Sequence, residues 1–164
     1  MRVLSIVHFG GLFGFGENEK RAPAAPPSVE PIVAYRSWRV GKEEMLISAT
    51  FECVWNVRER MTATCRQPVT HPAAPAWDCR CGFYAFKTHG ALAASEYALG
   101  SSAVEVVCGR VALWGTVIDH ETGYRAEHAY PQVLYLRGDR SDEVVRRIAD
   151  RYAIECVPLS LRKP

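Results

Sequence analysis

The chain has 164 residues and a mass of 18.3 kDa, with 48% hydrophobic and 23% charged residues. This length favours a single domain with an ordinary buried core. With 20 Lys and Arg against 18 Asp and Glu, the charge is close to neutral, which argues against nucleic-acid binding through bulk electrostatics alone. No apolar run approaches the roughly 20 residues of a membrane span, so we expect no membrane-spanning segment.

The amino-terminal segment differs in composition from the rest of the chain. Residues 1–31 join an apolar, glycine-containing stretch to a proline-rich one. Proline removes backbone donors and favours extended conformations, so we predict a flexible tail and linker over 1–31 and a single domain over 32–164. A secretory signal peptide is the alternative, because Arg2 precedes the apolar stretch, although His8 interrupts it.

Most of the domain has the pattern of strands. β-Branched and aromatic residues fill 32–40, the turn residues Gly41 and Lys42 follow, and a second apolar run begins at Met45, which predicts a hairpin. Gly115 lies inside a later apolar run and indicates a bulge or sharp bend. Further strands are predicted at 50–57, 103–108, 111–118, 133–137 and 154–159, the last as an edge strand because it contains proline.

Two helices interrupt the strands. In the stretch 141–152, Ser141 suits an N-cap and apolar residues recur at helical spacing, which predicts an amphipathic helix. A shorter helix is predicted over 91–99, ended by Gly100. We therefore predict an α+β fold, with a curved antiparallel sheet or small, partly open barrel and two helices.

A group of potential metal ligands lies between two predicted strands. Cys65, His71, Cys79 and Cys81 supply three thiols and one imidazole, the set that tetrahedral zinc needs. Gly82, directly after the last cysteine, would let backbone amides turn toward a thiolate. We predict a zinc-stabilised loop with these four residues as ligands. Because four protein ligands leave no open position, the metal would be structural.

Other roles for the cysteines stay open at this stage. The six cysteines of the chain could pair as three disulfides, above all if the protein were secreted, or have no special role. Cys53, Cys108 and Cys156 each lie in apolar, strand-like surroundings, so we interpret them as buried thiols of the core. Cys53 is the substitute ligand if Cys65 does not bind.

Three segments resemble a known group of proteins. They are HPAAPAWDCRCGFYA over 71–85, VCGRVALWG over 107–115 and GYRAE over 123–127. In these motifs the chain resembles small uncharacterised proteins of actinobacteria and their phages, over roughly residues 33–136. The resemblance implies a cytoplasmic setting and zinc rather than disulfides, and it implies no established activity.

A second cluster of polar residues lies around a predicted hairpin turn at residues 122–123. His120, Arg125 and Glu127 would come close together across two paired strands. Such a cluster could hold a general acid and base, and the alternative function is therefore a small enzyme acting on a nucleotide or other small ligand. The simpler interpretation is a polar hairpin tip in which Arg125 pairs with Glu127.

The prediction that the residues support best is a non-enzymatic, zinc-binding recognition module with a macromolecular partner, either nucleic acid or protein. Basic residues are more numerous than acidic ones in the first half of the domain, and aromatic residues are interleaved with them. The arginines are Arg36, Arg39, Arg58, Arg60, Arg66 and Arg80, and the aromatic residues are Tyr35, Trp38, Trp55 and Trp77. These rings could stack on bases, and core packing explains most of them equally well.

Overall fold

A computed structural model describes residues 23, 25–66, 71, 73–97 and 105–159. Within them one sheet of seven strands is accompanied by two α-helices, which confirms the predicted α+β class. The elements are β1 Ile32–Val40, β2 Leu46–Ser48, β3 Met61–Thr62, β4 Phe83–Phe86, α1 His89–Ala93, β5 Val106–Asp119, β6 Gly123–Leu136, α2 Asp142–Tyr152 and β7 Glu155–Pro158.

The sheet is partly ring-like. β1 pairs with β2 and β4 along one edge and with β5 along the other. β6 pairs with β5, and it also pairs with β3, β4 and β7. Since β4 pairs with both β1 and β6, the pairings partly close on themselves. All of these pairs are antiparallel except β6–β7, which is parallel because α2 carries the chain back between them.

The long β5–β6 hairpin is the main unit of the sheet. The sequence predicts two strands separated at Gly109 and Arg110, but β5 runs through both with a register shift after Arg110. A second shift lies between Trp114 and Val117, around Gly115, whose φ is +78°. The bulge predicted at Gly115 is therefore confirmed, and it bends the sheet where β5 meets the end of β6 that carries β3 and β4.

The core lies between the curved sheet and α2. Trp38, Trp55 and Leu113 from the sheet region are fully or almost fully buried, as are Ile148 and Tyr152 from α2. α2 covers the predicted residues, but Ser141 makes no side-chain cap. Instead, the carboxylate of Asp142 accepts hydrogen bonds from the backbone N–H groups of residues 137 and 138, at 2.8 and 3.0 Å.

Several predictions fall partly outside the described residues. The tail at 1–22 and residue 24 lie outside them, so the domain boundary stays a prediction; Ala25 and Val29, inside the predicted linker, pack against the core. The helix predicted over 91–99 is only partly right: α1 spans His89–Ala93, residues 94–97 are not helical, and residues 98–104 lie outside the described part. No helix in that part is long and apolar enough to cross a membrane.

Candidate metal centre

The four predicted ligands lie in the connection between β3 and β4, residues 63–82, which we call the metal loop because it carries them. β3 pairs Thr62 with His128, and β4 pairs Phe83 with Ala126, so both ends of the connection are anchored on one edge of β6. Ala126 and His128 are two residues apart in β6, a separation of about 7 Å, so the loop begins and ends at neighbouring positions of this strand. The sheet thereby brings Cys65, after β3, next to the cysteines that precede β4.

The structure places the four potential ligand atoms together. One ligand atom from each of Cys65, His71, Cys79 and Cys81 lies within 4.8 Å of the others. The sulfurs of Cys65 and Cys79 are 3.6 Å apart, and the sulfur of Cys81 is 3.5 Å from Nε2 of His71. This cluster could hold a metal ion. No disulfide joins the cysteines among the described residues, so the disulfide alternative is not observed there.

Backbone groups of the loop orient two of the ligands. Nδ1 of His71 lies 2.7 Å from the carbonyl oxygen of Ala73, and because a carbonyl only accepts, Nδ1 carries the proton. When the imidazole is neutral, as a metal ligand must be, the lone pair of Nε2 therefore faces the sulfurs. The backbone N–H of Ala76 donates to the sulfur of Cys81 at 3.4 Å. These are the contacts that fix metal ligands in known sites.

The cysteines of the cluster differ in their ease of ionisation. The hydrogen bond with His71 lowers the pKa of the Cys79 thiol to about 6, which favours its ionised form. The same interaction raises the pKa of His71, and burial raises the pKa of Cys81. A divalent cation would favour the ionised form of every thiol in the cluster and the neutral form of the imidazole.

Arg125 of β6 stabilises the loop through hydrogen bonds to its backbone. Its guanidinium, on a residue only 4% exposed, donates through Nη1 to the carbonyl oxygens of Ala76 at 3.3 Å, Cys81 at 3.2 Å and Cys79. Gly82 adjoins it with a φ of +114°, and an added Cβ there would lie 3.0 Å from Pro75 and 3.3 Å from Cβ of Arg125. Glycine is therefore required by both backbone conformation and space.

The second predicted cluster is only partly assembled. Nε of Arg125 donates to Nε2 of His120 at 2.9 Å, so these two residues do meet. Glu127 bonds elsewhere: it accepts from the backbone N–H of Thr116 at 3.0 Å and lies 3.4 Å from Nε2 of His128. The predicted Arg125–Glu127 pair is not formed, because Arg125 is used by the metal loop. Sequence reasoning selected Arg125 as a possible catalytic residue, and only its tertiary contacts reveal that it bonds to the backbone of the loop.

Three residues of the predicted basic and aromatic surface are buried, and for the two tryptophans among them the core-packing alternative applies. Trp38 and Trp55 are fully buried and pack edge to face at 5.5 Å, and Arg36 is 9% exposed, so these residues belong to the interior. Trp77 and Arg80, in the metal loop, are exposed. Among the other three cysteines, Cys53 and Cys156 pack against the core, and burial raises the pKa of Cys108.

Comparison of the chain with protein-family models, with curated proteins and with solved structures gave no match. The chemistry of the Cys/His cluster and its surroundings is therefore the basis for assigning a role to this chain.

Proposed function

We propose that the protein is a non-enzymatic, zinc-binding recognition module for a macromolecular partner. A structural zinc ion, held by Cys65, His71, Cys79 and Cys81, would fix the β3–β4 loop beside a cleft that takes the partner. The observation that carries this proposal is the close approach of all four ligand atoms, within 4.8 Å. The four atoms come from one loop, and a single ion could contact all of them.

The distances favour zinc. For zinc–sulfur bonds of about 2.3 Å and a zinc–nitrogen bond of about 2.0–2.1 Å, a tetrahedron has sulfur–sulfur edges of about 3.8 Å and sulfur–nitrogen edges of about 3.5 Å. The corresponding distances of 3.6 and 3.5 Å lie close to these values. Thiolates combined with imidazole select zinc over hard cations such as Mg²⁺ and Ca²⁺.

A binding role fits the site better than catalysis. Three cysteines and one histidine fill a tetrahedral coordination sphere and leave no position for an activated water. The alternative catalytic group is incomplete, because Glu127 bonds away from His120 and Arg125. We propose a cytoplasmic location with this function, since a reducing compartment keeps the cysteines available as ligands.

Metal analysis of protein purified without chelator tests the proposal. We expect about one zinc per chain, as for other closed Cys/His sites. Replacement by Co²⁺ should give the strong visible absorption of a tetrahedral thiolate complex. Zinc far below one per chain, or a Co²⁺ spectrum typical of octahedral oxygen ligands, would overturn the metal assignment and with it the proposed function.

A further inference from the structure

A cleft of about 700 Å³ adjoins the metal loop. A smaller cavity of about 250 Å³ shares part of its wall and extends along the cluster toward Cys65. Phe51, Arg80 and Tyr84 are common to both, as is the cluster residue Cys79. The loop that the metal would fix is therefore one wall of a continuous depression on the surface.

Exposed aromatic side chains concentrate in this cleft. Within the described part of the chain, the large aromatic side chains classed as exposed are Trp77, Phe51 and Tyr84, with exposures of 67%, 63% and 45%. All three line the cleft. Trp77 stacks on His120 with ring centroids 6.1 Å apart and planes 12° from parallel, which leaves a flat, supported platform. Clustered exposed aromatic rings indicate a binding surface.

Positively charged side chains also line the cleft. Arg36, Arg80 and Arg125 line it with a single carboxylate, Asp78, and the smaller cavity adds Arg66 and no carboxylate. Arg36 is almost fully buried, yet within the described residues it has no acidic partner; it donates to Ser48 Oγ at 3.1 Å and to the carbonyl of Tyr84. Its Nε has no hydrogen-bond partner.

Buried arginines are ordinarily paired with acids, so this excess of positive charge needs an anionic counterpart. Burial lowers the pKa of Arg36 only to about 10, and the guanidinium therefore stays charged at neutral pH. Because no acidic partner of Arg36 lies within the described residues, an anionic group of a ligand would complete this part of the cleft. A ligand that combines flat rings with negative groups would satisfy both the aromatic and the cationic parts of the wall.

We propose that this cleft binds single-stranded nucleic acid, with bases stacked on Trp77 and its aromatic neighbours and phosphates beside the exposed Arg80, near the buried charge of Arg36. This inference rests on the proposed function, because Trp77 and Arg80 lie on the metal loop. Unpaired bases expose the π-faces that aromatic side chains contact, whereas the bases of a duplex are already stacked. Guanidinium groups match phosphate geometry and would track the backbone between the bases.

Fluorescence anisotropy of a short, labelled oligothymidylate, titrated with zinc-loaded protein at several salt concentrations, tests the inference. We expect binding that weakens as salt increases. Trp77→Ala should weaken it by about five-fold to a hundred-fold, the range for one lost stacking contact. Arg80→Ala should lower the slope of log affinity against log salt by about 0.7, the value for one single-strand phosphate contact.

Two matched substitutions serve as controls. Val54→Ala removes an exposed apolar side chain that does not line the cleft, and Arg146→Ala removes an exposed arginine of α2. Both should bind like the parent protein. Equal weakening by Arg80→Ala and Arg146→Ala, or a free thymidine nucleotide binding as tightly as the oligomer, would overturn the inference. Absence of binding by zinc-loaded protein would also overturn it, while leaving a protein partner for the proposed module.

Discussion

Arg125 illustrates how a single side chain supports the metal loop without contributing a ligand. Its guanidinium is buried and donates to three carbonyl oxygens of the loop and to His120. Hydrogen bonds from a charged donor are stronger than neutral ones and offset part of the cost of burying the charge. The backbone conformation around Cys79 and Cys81 is thus fixed from β6, outside the loop.

The cysteines divide into two classes that substitution can separate. Cys81→Ser replaces a thiolate of the cluster with a hydroxyl, which is a poor ligand for zinc, so we expect most of the zinc to be lost on dialysis against a mild chelator. Cys156→Ser is the matched control, because Cys156 lies in β7 and packs against the core. That variant should keep about one zinc per chain. Metal analysis of the two dialysed proteins gives the comparison.

Equal zinc content in the two dialysed variants would contradict the ligand assignment. Loss of zinc from Cys156→Ser alone would contradict it as well. Both variants can be compared by circular dichroism, so that a change in metal content is not confused with a failure to fold.

Among the elements, α2 is tied to the sheet region by buried tyrosine hydroxyls as well as by apolar contact. The hydroxyl of Tyr152 accepts from the backbone N–H of Leu46 at 3.0 Å and donates to the carbonyl of Trp55 at 2.6 Å. Tyr130 of β6 donates to the carbonyl of Tyr152 at 3.0 Å. The segment between β1 and β3 is therefore linked to the end of α2, across a long sequence separation.

Removal of one of these hydroxyls should destabilise the fold. Tyr152→Phe leaves the N–H of Leu46 and the carbonyl of Trp55 without this partner in the interior. An unsatisfied buried polar group costs about 1–3 kcal/mol, so we expect the free energy of unfolding to fall by about that amount. Urea denaturation followed by circular dichroism measures it.

Tyr135→Phe is the control for this substitution. Tyr135 is partly buried in β6 and contacts the ring of His89, and its hydroxyl makes no hydrogen bond to the described residues. We expect a change within about 0.5 kcal/mol. A loss for Tyr152→Phe no larger than that for Tyr135→Phe would contradict a stabilising role of the bonded hydroxyl at position 152.

For the molecule as a whole, the hydrophobic core and the metal loop are separate. The buried cluster that joins the sheet to α2 includes Met61 before the loop and Phe83 after it, but no residue of the described part of 65–82. The sheet thus has its own source of stability. The loop depends on the cluster, on Arg125 and on the anchoring of its two ends on β6.

Removal of the metal should consequently change the loop more than the sheet. With a strong chelator, we expect the far-ultraviolet circular dichroism of the sheet to persist while proteolysis becomes faster within 65–82. Limited trypsin digestion is suited to this test, since Arg66 and Arg80 lie in the loop. Cleavage sites identified by mass spectrometry should map to these arginines.

Addition of zinc after the chelator should restore resistance to trypsin. Unfolding of the entire chain by the chelator would contradict the separation between core and loop. Equal rates of cleavage with and without chelator would contradict a role for metal in ordering the loop.

The spacing of apolar and turn residues predicted the elements whose pattern lies within one short stretch of sequence. The β1–β2 hairpin follows from its apolar run and turn residues, and α2 from its helical spacing. The cap of α2 was wrong, because Asp142 reaches backbone groups at the end of β6 and Ser141 does not. The sequence also predicted two strands where β5 is one. The strand continues through Gly109 because it pairs there with both β1 and β6.

The four cysteine and histidine residues of the candidate centre could be named from their types and spacing, since ligand chemistry is a property of the residues themselves. Their convergence depends on β3 and β4 pairing with adjacent positions of β6, which residue spacing does not specify. Likewise, tertiary packing buried Arg36, Trp38 and Trp55 while leaving Trp77 and Arg80 at the cleft. Residue types fix what chemistry a chain contains, but long-range strand pairing and burial fix which of those groups meet and which face solvent.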